Sequence, residues 1–252
     1  VFISNLTSAL EPKVIKLDNQ KPERLLYIGN SYLYYNDSLH NHVRRMLEEY
    51  YQKEIERSNY KSVTISGSRL SHHNIDYSLD HKNLDAEKPF ELVIIQGGSG
   101  EVLIEEERIV FANEVDKMIN KINQAGAEAA LYMIHAYVEP HPDTNPAMIT
   151  NIKKMYIEAG NKNNALVLPI GIAFENAYSK KPKIKLHKDY DGTHPDMLGT
   201  YLAACVVFAS ITHRSPFEIK YDYYGKVSKS DKSFLQSIAH KTVEDFYSIK
   251  LK

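Results

Sequence analysis

Tryptophan is missing from the 252 residues of this chain, and cysteine occurs once, at Cys205. A single cysteine makes no internal disulfide and no thiolate cluster, so the fold rests on its core rather than on covalent or metal staples. Charge of one sign is lacking too: 31 Lys and Arg stand against 32 Asp and Glu, a formal net charge of -1. That balance gives no electrostatic reason for a nucleic acid or an anionic membrane as partner. No apolar run approaches the roughly 20 residues of a membrane-spanning helix, and no signal peptide is visible. The chain begins at Val1 and not at Met. A processed or trimmed chain is expected on that ground, and localisation stays open between a bacterial cytoplasm and export after removal of a leader.

Internal repeats, low-complexity tracts and interdomain linkers are also missing. What remains is the composition of one large globular domain, 43% hydrophobic and 25% charged, with length enough to bury a sizeable core. We read a single domain over 1–252, with 1–22 as an N-terminal extension. Cys205 falls in the run Tyr201 to Ala209 and is expected to be a small core residue of a buried helix. Two triplets, Asn5-Leu6-Thr7 and Asn36-Asp37-Ser38, fit the glycosylation pattern, which arises often by chance.

Short apolar runs alternate with helical periodicity along the chain. Strands are expected at 25–28, 63–65, 90–95, 129–134 and 166–168. Helices are expected at 37–53, 105–124, 146–159, 195–211 and 229–247. In the helix at 105–124, Ile109, Phe111, Ala112, Val115, Met118, Ile119 and Ile122 form the inner stripe, and Gly126 ends it. The Lys-rich stretch 180–188 reads as a solvated loop. Strands separated by helices imply βαβ units, hence a three-layer α/β/α sandwich on a mostly parallel five-stranded sheet. Ligands bind such sheets at the carboxyl ends of the strands, where Ser31, Gly67, Gln96 and His135 all fall.

Ser31 follows the first apolar run, and Asp191-Gly192-Thr193-His194-Pro195 brings an acid and an imidazole three residues apart. A serine hydroxyl needs a histidine to take its proton, and that histidine needs a carboxylate to fix its tautomer. These three side chains are therefore a candidate triad. His72, His73, His135, His141 and His187 match no compact ligand spacing, and Gly97-Gly98-Ser99-Gly100 lacks the Lys-Ser/Thr of a phosphate loop. No metal or cofactor is called for. Tyr32, Tyr34 and Tyr35 stand near the serine, but 18 tyrosines in the chain make packing their expected role.

Taken in order, these blocks resemble those of the SGNH/GDSL hydrolase superfamily. Ile28-Gly29-Asn30-Ser31-Tyr32 resembles the first block, with Asn30 where the common version has an acid. Ser66-Gly67-Ser68-Arg69 is similar to the second, and Asp191 to Pro195 to the last. Gly98-Ser99-Gly100-Glu101 occupies the third, leaving Gly100 where the oxyanion-binding Asn is usual; Gln96-Gly97-Gly98-Ser99 is similar to a Gln-containing version in carbohydrate acetylesterase branches. The resemblance implies a flavodoxin-like fold and a serine esterase with Ser31 as nucleophile, His194 as base and Asp191 as its orienting acid. It further implies an oxyanion hole of the Ser31 and Gly67 N–H groups and the Gln96 amide. The expected substrate is a small acyl ester, most plainly an acetyl ester of a carbohydrate or other polar alcohol. The alternatives are a lipase, thioesterase or acyltransferase acting on longer chains, and a noncatalytic carbohydrate- or partner-binding module on the same fold. The oligomeric state is not legible.

Overall fold

The computed structural model describes residues 10–252, so the Asn5 triplet lies outside the described residues. Five strands form one sheet: β1 (Leu25–Gly29), β2 (Tyr60–Thr64), β3 (Leu92–Ile95), β4 (Glu128–Tyr132) and β5 (Leu166–Leu168). Their order is β2-β1-β3-β4-β5, and every pairing is parallel. β1, β3 and β5 are buried along their whole length, which is why they read as unbroken apolar runs rather than alternating ones.

Among the described residues eight α-helices complete the layers: α1 (Ser31–Tyr34), α2 (Leu39–Tyr51), α3 (Ile75–Leu79), α4 (Glu105–Gln124), α5 (Met148–Asn163), α6 (Ile170–Lys180), α7 (Met197–Thr212) and α8 (Lys229–Tyr247). From β1 the chain steps outward to β2, then returns and builds β3, β4 and β5 in the opposite direction. Right-handed crossovers put helices made on those two legs on opposite faces. Accordingly α7 packs against both α2 and α8 on one side, while α4 packs with α5 on the other. The point of reversal between β1 and β3 leaves a crevice at the carboxyl ends of those strands, where such sheets bind ligands.

Several boundaries move for identifiable reasons. α2 starts at Leu39 and not at Asp37, because Asn36, Asp37 and Ser38 all have positive φ, at 55°, 65° and 67°. β2 starts at Tyr60, three residues before the expected Val63, as the half-buried edge strand lacks a continuous apolar signal. α4 has the expected bounds, but its stripe is narrower: Ile109 is 55% exposed, while Phe111, Val115, Met118, Ile119 and Ile122 are buried. α6 and α3 were not expected. α6 buries Ile170, Ala173, Phe174 and Ala177; its small residues hide the period. The 180–188 stretch is not wholly solvated, since Ile184 and Leu186 are buried.

α7 is buried from Gly199 to Thr212, and Cys205 within it is a free, fully buried thiol. Residues 10–22 carry no helix or strand, yet they lie on the body. Leu17 is buried, and the Asp18 and Asn19 N–H groups donate to the Glu128 carboxylate at 2.7 and 3.0 Å. Among the described residues no helix is long and apolar enough to cross a membrane.

Candidate active site

Ser31 opens α1, the short turn that follows β1. Asn30 is the cap of that turn, its Oδ1 accepting from the Tyr32 N–H at 3.1 Å. Ser31 is thereby relieved of the capping role that serine often takes, and its Oγ is 2.9 Å from His194 Nε2. On the other side of the imidazole, His194 Nδ1 donates to Asp191 Oδ2 at 2.6 Å. The second oxygen of Asp191 accepts the N–H groups of Thr193 (2.9 Å) and His194 (3.0 Å), closing a tight turn that holds acid and base together. Burial pushes the Asp191 carboxyl up, but those backbone bonds and the His194 ring outweigh it and hold it below the usual range. The group stays ionised and fixes Nδ1 as the protonated nitrogen.

The turn bearing Asp191 and His194 is itself clamped from below. Gly192 has φ +65°, and a Cβ there would collide with the Val138 carbonyl oxygen; the Val138 N–H donates back to the Gly192 carbonyl at 2.9 Å. His135, fully buried after β4, donates from Nε2 to the Thr193 carbonyl at 2.8 Å. Its ring lies stacked between Tyr32 (4.2 Å) and Phe174 (4.4 Å), and burial holds it well below the ordinary histidine range, hence neutral. The Tyr32 hydroxyl reaches Thr193 Oγ1 at 2.7 Å, and Tyr35 stacks on the His194 ring at 4.4 Å. Packing is thus the role of these tyrosines, but it is packing against the site. Of the five histidines without ligand spacing, His135 alone supports the turn directly, while His141 lines the cleft.

Ser31 and His194 line a cleft of about 370 Å³ whose other walls include Ser66, Gly67, Ser99 and Gly100. Gly67 is at the expected place, with φ +64° and open space where a Cβ would be. Gln96 is not. Its Oε1 accepts from the Asn30 N–H at 3.0 Å, and its Nε2 donates to the neighbouring Gly97 carbonyl. It is 1% exposed and does not line the cleft. This corrects the expectation that its amide faces a developing oxyanion. The cause is Gly29, whose missing Cβ makes room: a Cβ there would lie 2.6 Å from Gln96 Oε1. Gln96 therefore secures Asn30, and Asn30 in turn donates from Nδ2 to the Ser68 carbonyl at 2.9 Å and more weakly to Gly97 at 3.4 Å. One asparagine ties together the loops after β1, β2 and β3.

Gln96→Ala is accordingly expected to act on stability, leaving the buried Asn30 N–H unpaired at a cost of about 1–3 kcal/mol. Chemical denaturation reads that loss directly. Unchanged stability with a hundredfold lower kcat would restore the amide to the oxyanion.

Glu101 lies in the loop that follows β3. It is 1% exposed, and its Oε2 accepts from the Gly98 N–H. Burial pushes its carboxyl up to about 7, against the Gly98 bond and nearby Arg69, which pull it down. A carboxyl raised above its unfolded value binds its proton more tightly when folded. Its contribution is fully present below the unfolded value, roughly 4.3, and is lost as pH rises toward 7. Glu101→Gln should therefore flatten the melting temperature between pH 5 and 8, relative to a parent that loses stability from this group across that window. Parallel curves for the two proteins would refute the assignment.

No protein-family description and no curated protein sequence matches this chain. Solved structures do. A DUF4886 family protein from Bacteroides uniformis superposes with a TM-score of 0.65 at 19% identity, covering 91% of this chain and 96% of the other. A candidate SGNH hydrolase from Slackia heliotrinireducens gives 0.57 at 22% identity, over 75% and 98%. An acetyl-xylooligosaccharide esterase from Geobacillus stearothermophilus gives 0.55 at 16% identity, over 75% and 93%. The chain has the fold of the SGNH hydrolases.

Proposed function

We propose that this protein is a serine esterase that removes small acyl groups, acetyl above all, from a carbohydrate or similar polar alcohol. The observation that carries the reading is the continuous chain of hydrogen bonds from Asp191 through His194 to Ser31 at the mouth of a cleft. The esterases among proteins of like fold agree with it.

In this mechanism the Ser31 hydroxyl attacks the ester carbon while its proton passes to His194 Nε2, and Asp191 steadies the imidazolium. The carbonyl oxygen becomes an oxyanion beside the N–H groups of Ser31 and Gly67, neither of which has a protein acceptor among the described residues. Their position at the first turn of α1 and in the turn beyond β2 suits developing negative charge. Ser99 offers a third donor in place of Gln96: its Oγ lines the cleft and accepts from the Tyr137 hydroxyl at 2.9 Å, a bond that does not use the serine proton. Collapse of the intermediate expels the alcohol, which takes the proton from His194. Water, deprotonated by the same imidazole, then attacks the acyl-enzyme and releases the acid with Ser31 restored.

The walls support the acyl preference. Ser66, Ser68, Arg69, Ser99 and His141 are polar, and the larger apolar surfaces are the Tyr32 and Tyr137 rings, with no aliphatic side chain in the lining to take up a long chain. A panel of p-nitrophenyl esters should give a higher kcat/KM for acetate than for octanoate, and a fluorophosphonate should label Ser31. An optimum at octanoate would favour a lipase or thioesterase. A folded protein that resists the label would favour a binding module.

A further inference from the structure

A second cavity, about 740 Å³ against 370 Å³ for the catalytic cleft, lies between α2, the start of β2 and the loop before α8. Its lining carries five cations, Arg44, Arg45, Arg57, Lys61 and Lys226, and a single carboxylate, Asp37. Glu48 pairs with Arg44 (2.8 Å) and Arg45 (3.1 Å), whereas Arg57, Lys61 and Lys226 make no ion pair among the described residues. Asp37 is occupied by the Tyr223 hydroxyl. His40 and His42 add no charge: burial lowers both, His40 to about 4 with His42 and Arg44 adding to the effect. Tyr60, Tyr221, Tyr223 and Tyr224 supply aromatic surface beside these cations, and Tyr224 is 70% exposed.

The rims of this cavity are rich in left-handed backbone. Among the described residues, Asn36, Asp37 and Ser38 on one side and Tyr223 and Tyr224 on the other account for five of the ten non-glycine residues with positive φ. Such conformations are costly and cluster where ligands are clamped. Here the Tyr223 to Asp37 bond ties the two rims to each other. Tyr221 is held as firmly, its hydroxyl against His42 Nδ1 at 2.9 Å and its N–H on Glu49 at 2.9 Å.

The cavity lies close to the catalytic cleft. Ser62 lines the first and Ser66 the second, both on or just beyond edge strand β2, at most roughly 13 Å of extended chain apart. The Tyr34 hydroxyl reaches Ser66 Oγ at 3.2 Å, and its ring stacks on Tyr35.

We propose that this cavity binds an acidic oligosaccharide, a chain whose anionic groups meet Arg57, Lys61 and Lys226 and whose rings lie against the tyrosines. It thereby serves as a distal subsite for a polymeric ester substrate. The proposal rests on the esterase reading for the word substrate, but the binding stands by itself. Aromatic surface holds sugar rings, whereas the unpaired cations select for charge. A nucleic acid strand also stacks and carries charge; the nearness of Ser62 to Ser66 of the cleft proposed for sugar esters favours the oligosaccharide.

The test is calorimetric titration of the full chain at low salt with trigalacturonate, a sulfated chondroitin tetrasaccharide, neutral xylotriose and oligothymidylate. One or both acidic oligosaccharides should bind, the better of the two showing whether carboxylate or sulfate is preferred, and affinity should fall as salt is raised. The combined variant Arg57→Ala, Lys61→Ala, Lys226→Ala should weaken that binding by about tenfold or more, and Tyr224→Ala should weaken it separately. Hydrolysis of p-nitrophenyl acetate by either variant should equal the parent's. Equal binding of xylotriose, tightest binding of oligothymidylate, no acidic probe bound, or an unmoved affinity in the combined variant would each overturn the proposal. Failure of the parent to hydrolyse p-nitrophenyl acetate would instead remove the esterase reading and leave the binding result intact.

Discussion

Ser31→Ala should abolish ester hydrolysis, lowering kcat by about ten-thousand- to a million-fold, with the protein still folded. Without Oγ there is no atom to carry the acyl group, and His194 has nothing to deprotonate except water. The change is small in every other respect. Asn30, not Ser31, caps α1, and the lost partner is one hydrogen bond to a His194 side chain that is 26% exposed. Stability should therefore shift by no more than about 1 kcal/mol. Initial rates with p-nitrophenyl acetate, fluorophosphonate labelling and a thermal melt together decide the matter. A variant that folds, resists the label and still turns over at the parent rate would mean that another group is the nucleophile.

Asp191→Asn should be almost as damaging, at about 10,000-fold in kcat, and for a subtler reason. An asparagine Oδ1 keeps both bonds from the Thr193 and His194 N–H groups, so the turn survives. Its Nδ2, however, replaces an acceptor with a donor opposite His194 Nδ1. The imidazole answers by moving its proton to Nε2, which then donates toward Ser31 and cannot receive from it. The same carboxylate gives the protein an acid sensitivity. Because its folded value lies below its unfolded one, its contribution is present above the unfolded value and is lost as pH falls through the folded one. The variant should lack that part of the acid transition. A kcat within tenfold of the parent would remove Asp191 from the mechanism.

How far the sequence discloses this site depends on what kind of interaction sets each residue. β3 and α4 are legible because an unbroken apolar run and a 3.6-residue period are local properties. Asp191 and His194 are legible because the turn joining them is only three residues long. Gln96 is not, since its direction depends on the absence of a Cβ at Gly29, a residue on the neighbouring strand. Asn30 looks like a mere variant of the usual acid, and its three-loop connection needs carbonyls from residues 68 and 97 to be in place. His135 had only a strand-end position to recommend it; nothing local says that Thr193 will sit on its Nε2. The second cavity is assembled from α2, β2 and the 220s, and its charge disappears in a chain whose total is near neutral.

In the proposed triad Ser31 stands at the first strand-to-helix junction, and His194 comes 163 residues later, just ahead of α7. A growing chain thus exposes its serine long before that serine can react, and competence arrives only when the Asp191 turn docks under a nearly finished body. Chemical activity becomes a report on the seating of that turn. Since that turn is held by the Val138 and His135 bonds, heating should silence the protein together with the loosening of those contacts, which rates and melting curves taken side by side would read.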